Sequence, residues 1–129
     1  MSQENVELVK SLYAAFARRN FDFILKNVSP EIEIVQSSEV PWGGSYRGPA
    51  EMQDFYGKLG AHLQASGLPI ERALDAGDCV VIIGRTQGTV RATGKHFDVP
   101  LAHVWQIRDG KVTRFMPFID HPTMFASLR

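Results

Sequence analysis

The sequence predicts an α+β fold in which a curved, mainly antiparallel or mixed sheet wraps as a cone around helices from the first half of the chain. Three observations carry this expectation. Apolar residues recur at three and four in the N-terminal half, they change to alternation after Pro69, and the alternating segments are separated by short Gly- and Asp-containing turns. The longest of these strands runs to about a dozen residues, too long to stay flat, so the sheet is expected to twist and leave a tapered interior. A pocket is the natural result.

Each element follows from its own pattern. Val6, Val9, Leu12, Tyr13 and Phe16 form the stripe of a first helix, with Ser2 as candidate cap and Glu4 and Glu7 near its positive end. Arg18, Arg19 and Asn20 close it. Phe21, Phe23, Ile24, Leu25 and Val28 make a second, short helical pattern stopped by Ser29-Pro30. Glu31 to Gln36 alternates as a half-buried strand, with Ile32, Ile34 and Gln36 on one face, so a polar residue ends the apolar side. Val40 to Gly48 is turn-rich and aromatic. Pro49 then opens a third helix with Met52, Phe55, Tyr56, Leu59 and Leu63 on one face, ended by Ser66-Gly67. Strands are predicted over Ile70–Asp75, Cys79–Val90, Lys95–Ile107 and Lys111–Ile119, joined as a four-strand antiparallel meander. Pro122 to Leu128 is expected to add one helical turn.

The composition narrows the partners. The chain has 129 residues, with 14 Lys and Arg against 14 Asp and Glu, interleaved along a single expected domain spanning residues 1–129. Nothing in it supplies the basic stripe that nucleic acid or an anionic membrane requires. No run approaches the ~20 apolar residues that cross a bilayer, and the N-terminus lacks a secretion signal. The lone Cys79 has no partner for an internal bridge, so a cytoplasmic location is expected. His62, His96, His103 and His121 lie on separate elements without metal-ligand spacing, and the glycines lack a strand-to-helix phosphate loop, so neither metal nor cofactor is expected. In the strand from His96 to Ile107, Phe97, Val99, Leu101, His103, Trp105 and Ile107 share one parity and Pro100, Ala102 and Val104 the other. Both faces carry apolar groups, which predicts a homodimer with one face on the core and the other on a second copy.

The element order, together with Val9–Phe16, Tyr46-Arg47-Gly48, Asp109-Gly110-Lys111-Val112 and Phe118-Ile119-Asp120, resembles the nuclear-transport-factor-2-like superfamily and its SnoaL-like members, with their cystatin-like roll. The resemblance covers essentially the whole chain and is specific for fold rather than activity. Against the ketosteroid isomerase branch, Tyr13 matches the helix-1 tyrosine, but Gln36 stands at the general-base position and Ala102 at the protonated-acid position. An amide cannot abstract a proton from carbon and a methyl cannot donate one, so no steroid isomerase activity is expected. Against the limonene-epoxide-hydrolase branch, Asp120 and Arg85 match while Gln87 replaces the second aspartate. The polyketide-cyclase branch asks only for the carboxylate of Asp120.

The resemblance thus implies cofactor-independent acid–base chemistry on an apolar cyclic or polyketide-like molecule, with Asp120 as base and Arg85 and Gln87 assisting. Tyr13, Gln36, Trp42, Tyr56, His103 and Phe118 would line its pocket. Plainer readings stand beside these. Asp120 also suits the N-cap of a proline-initiated helix, Arg85 could pair with Glu71 or Asp75, and His103 and Tyr13 suit hydrogen-bonded packing. A noncatalytic pocket for a small hydrophobic ligand, or an assembly module, is the alternative for the whole domain.

Overall fold

A computed structural model describes residues 2–129, without the side chain of Ser2, so the reading of Ser2 as a cap lies outside the described residues. The elements are α1 (Ser2–Ala17), α2 (Phe21–Lys26), β1 (Val28–Gln36), β2 (Gly44–Arg47), α3 (Gly48–His62), β3 (Leu63–Gly67), β4 (Ile70–Asp75), β5 (Cys79–Val90), β6 (His96–Arg108), β7 (Lys111–Ile119) and α4 (His121–Leu128). The sheet runs β2-β1-β7-β6-β5-β3, with β4 also on β5. β4 to β7 pair antiparallel in sequence order as expected, whereas β1 joins β7 in parallel and makes the sheet mixed.

Four local expectations are corrected. Ser29-Pro30 lies within β1 instead of ending a helix, at an irregularity of the β1–β7 ladder where a missing N–H is tolerated. The turn-rich aromatic run contains a short strand, β2, which pairs Tyr46 with Ile34 and buries the tyrosine. The third helix stops at His62, where Leu63 turns extended and starts β3 on the far half of β5. Hydrogen bonding to β5 outweighs the helical stripe there. Finally, α4 runs for 8 residues rather than a single turn.

Two glycines let β5 carry two partners on one edge. A Cβ at Gly84 would strike the carbonyl of Pro69 ahead of β4, and one at Gly88 would strike Gln64 of β3 and the ring of Phe97. Backbone approaches this close need residues without side chains.

Strand parity decides the interior. On β6, Phe97, Val99, Leu101, His103, Trp105 and Ile107 are all buried, and the corresponding inward groups are Val80 and Ile82 of β5, Phe115 of β7, and Ile32, Ile34 and Gln36 of β1. Val9 and Leu12 of α1, Ile24 of α2, and Met52 and Phe55 of α3 complete the core. Removing a side chain of this size from water is worth about 1.5–3 kcal/mol, and the full stripes of α1 and α3 hold both helices to the sheet. Met124 of α4, 1% exposed, adds to the core from the C-terminal side.

Candidate functional site

The site grows from a pair of inward rows. Ile34, Phe115 and Trp105 are partners across β1, β7 and β6 and make the apolar row. Two residues further along β1 and β7, and two back along antiparallel β6, the same face carries Gln36, Pro117 and His103. His103 pairs directly with Pro117, and Gln36 ends β1. The β1–β7 pairing runs to Ile34 and Phe115, so Gln36 lies just past the last paired position, on the inner side that His103 shares.

Helix α1 supplies the third component. Its stripe turns Tyr13 toward β6, where the hydroxyl lies 2.6 Å from His103 Nδ1 and accepts a hydrogen bond of 2.9 Å from the indole N–H of Trp105. Tyr13 and His103 are nearly parallel at 8°, and Trp105 stacks on Phe115 with centroids 4.1 Å apart. Burial drives His103 down to about 3, so it is neutral at physiological pH. Burial also raises the Tyr13 phenol far above its ordinary range, and Trp105 only partly offsets this. The cluster is therefore uncharged as well as hydrogen-bonded.

Beside it lies a small apolar cavity whose free volume is about 10 Å³, the space of one water molecule. Leu12, Ile34, Met52, Tyr56, Trp105 and Phe115 are among its walls. Trp105 thus belongs to both features. Tyr56, whose phenol burial pushes upward, makes no side-chain hydrogen bond among the described residues, and neither does Gln36.

The structure brings Tyr13 and His103 into direct contact, turns Gln36 inward and sets Tyr56 in the cavity wall. Trp42 is buried in the core beside His62, away from the cavity. Phe118, expected in the pocket, is 56% exposed, because it pairs with Ala102 on the outward parity. Ala102 likewise faces out, so the inward position at the level assigned to a protonated acid is His103 itself.

Arg85 and Gln87 also take the outward parity of β5. Arg85 Nε donates to Asp98 Oδ1 at 2.7 Å rather than pairing with Glu71 or Asp75. Arg85 and Gln87 together hold the Asp98 carboxyl below its ordinary range, the arginine dominating. Asp120 is exposed at the N-cap of α4, makes no capping hydrogen bond, and accepts instead from the hydroxyl of Thr123. These three groups therefore gather around the outer face and the rim, not beside Tyr13 and His103. The sequence pattern points to no role for Asp98 and shows Trp105 only as one member of a strand parity. The shared parity of Trp105 and His103 was the signal that could have joined them.

Among the described residues, no group of three His, Cys, Asp or Glu side chains could hold a metal ion, and no helix is long and apolar enough to cross a membrane.

The curled mixed sheet closed by N-terminal helices is the nuclear-transport-factor-2-like fold. Within it, the chain belongs to the SnoaL-like domain family, whose sequence profile matches residues 9–115. It is similar to an NTF2-like protein from Burkholderia xenovorans, with 26% identity over 100% of this chain and 98% of that one and a TM-score of 0.88. A second, from Burkholderia thailandensis, is 30% identical over 96% of each chain with a TM-score of 0.87. The protein TerC, co-crystallised with polyporic acid, is 26% identical over 97% of this chain and 98% of its own, with a TM-score of 0.85. No curated protein matches the chain.

Proposed function

We propose that the chain binds a small, mostly apolar, ring-containing molecule inside the cone. One observation carries this reading: three inward polar side chains, His103, Gln36 and Tyr56, have hydrogen-bonding capacity that no protein group uses, above an apolar wall. Among the described residues the one buried side-chain polar atom without a partner is Arg114 Nε, so the free polar atoms of these three residues stay within reach of water, which a ligand's polar atoms can replace. The similarity to TerC, crystallised with polyporic acid, supports the reading. A cavity of about 10 Å³ admits no such ligand without movement, and flexible Met52 is the wall residue best suited to yield. Calorimetric titration with polyporic acid and a panel of two- and three-ring ketones, phenols and quinones tests it. Saturable binding that His103→Phe weakens is expected; no saturable binding across the panel overturns it.

A second reading is acid–base catalysis with Asp120 as the base and Arg85 and Gln87 assisting. It is favoured by the Asp120 carboxylate, which stands at an N-cap without being committed to the backbone. Product analysis over the same panel, followed by Asp120→Asn, tests it. A turnover that survives that substitution removes Asp120 from any mechanism.

We also propose that the outer face pairs with a second copy. Val81, Ile83, Ala102, Val104, Met116 and Phe118 form a half-exposed apolar strip on β5, β6 and β7, and Phe118 stands out at 56% exposure. A dimer mass at micromolar concentration, converted to monomer by Phe118→Glu, is expected. A monomer in the unsubstituted chain overturns the pairing.

A further inference from the structure

The order of hydrogen bonds inside the cone determines more than the presence of a binding site. An indole N–H only donates, so Trp105 occupies one lone-pair direction of the Tyr13 oxygen. The 2.6 Å contact between that oxygen and His103 Nδ1 can then run in either sense. Suppose Nδ1 carries the proton. Tyr13 accepts twice, its own proton finds no acceptor among the described residues, and Nε2 keeps a lone pair without a donor. Suppose instead that Tyr13 donates to Nδ1. Then Trp105, Tyr13 and Nδ1 are all satisfied, and the Nε2–H is the one group left over. Nε2 is not among the buried atoms without a partner, so water can meet it in either case; only the first arrangement strands the phenol proton of Tyr13, and the second prevails.

The surroundings are equally selective. Among the described residues the buried polar or charged side chains are Gln36, His103 and Ser127, and none is a carboxylate, lysine or arginine. Gln36, on the same inner side, offers both a donor and an acceptor. An ionic ligand would shed its hydration here and meet no counter-charge.

We infer that Trp105 and Tyr13 are positioning residues that lock His103 as its Nε2–H tautomer, presenting one neutral donor to the carbonyl-type oxygen of an uncharged, ring-containing ligand. Tyr13 is thereby spent on His103 and does not itself hold the ligand. The ligand class rests on the binding reading proposed above; the tautomer does not.

The test begins with the free protein. Histidine-labelled nitrogen NMR at about pH 5 and 8 should show Nε2 protonated and Nδ1 unprotonated for His103 at both values. In Tyr13→Phe, with its amide spectrum still dispersed, the two tautomers should mix; should that variant fail to fold, the unsubstituted chain is decisive by itself. An Nδ1–H tautomer in the unsubstituted chain overturns the lock and leaves the binding reading untouched. The second arm compares 2-acetylnaphthalene with 2-naphthoate, similar in size and different in charge. The ketone should bind roughly 10-fold or more tighter, because the carboxylate must be buried unpaired. Naphthoate binding as tightly overturns the ligand class. If neither probe binds while Nε2–H persists, the ligand class is overturned and the tautomer stands; the binding reading is decided by the wider panel.

Discussion

The two faces of the strands β5 and β6 are built from the same backbone and do opposite things. Inward stand Trp105, His103 and Ile82, with exposures of 4%, 7% and 0%. Outward stand Arg85 and Asp98, an ion pair whose side chains are 37% and 54% exposed. The inner polar groups are neutral and bound in a fixed order, whereas the outer ones keep full charge and share their partners with water. Charge is the more conspicuous signal in a sequence, yet inside this cone the chemistry belongs to neutral groups, because only neutral or paired groups tolerate the loss of water.

The sharpest test of that contrast is truncation on either face. Trp105→Ala should lower the unfolding free energy by about 3–5 kcal/mol in urea denaturation, since it opens a void beside Phe115 and removes the donor to Tyr13. Phe118→Ala on the outside should cost less than about 1 kcal/mol when measured on the monomer. Similar costs would erase the distinction between the faces.

Acid should attack the inner face by a route that is absent outside. His103 falls from 6.5 in the unfolded chain to about 3 in the folded one, so the unfolded state binds the extra proton between these values. Its contribution is complete above 6.5 and is lost as the pH drops toward 3. Between pH 6.5 and 4.5 the loss should be on the order of 2–3 kcal/mol, and His103→Gln should lack that part of the slope. An unchanged slope in the variant would show that other groups govern the acid limb.

Tyr13→Phe should have a smaller effect, about 1–2 kcal/mol in the same assay, because it orphans the Trp105 N–H and His103 Nδ1 while leaving the volume intact. The smallest effect is expected at Arg85→Ala. Its pair is exposed, so the melting temperature should stay within error, while the Asp98 carboxyl, followed by NMR, should rise toward its ordinary range. A clear fall in melting temperature would give the outer pair a structural weight that its exposure does not suggest.

Much of this architecture was legible residue by residue. The stripes of α1 and α3, the faces of β1 and β6, and the turns around Gly77 and Gly110 follow from local periodicity, and Gln36 was readable as a polar end to an apolar face. The helical stripe continues through Leu63, so periodicity alone carries the third helix past His62. The strand that replaces it is exposed apart from Leu63 and therefore leaves no hydrophobic signature. Asp120, Arg85 and Gln87 join the pocket by resemblance to positions in other branches, and Phe118 by its aromatic character. A one-residue difference in strand parity moves a side chain from the interior to solvent, and resemblance of segments does not resolve that step.

The sequence by itself determined the α+β order, the family and the alternation of each strand, because these rest on short-range spacing and local propensity. Only the tertiary structure decided which alternating face looks inward, that β1 runs parallel to β7, and that Tyr13, His103 and Trp105 meet across about 90 residues of chain. The physical reason is that the curvature of the sheet and the packing of α1 against it are collective, and a hydrogen bond between distant residues leaves no trace in the spacing of either.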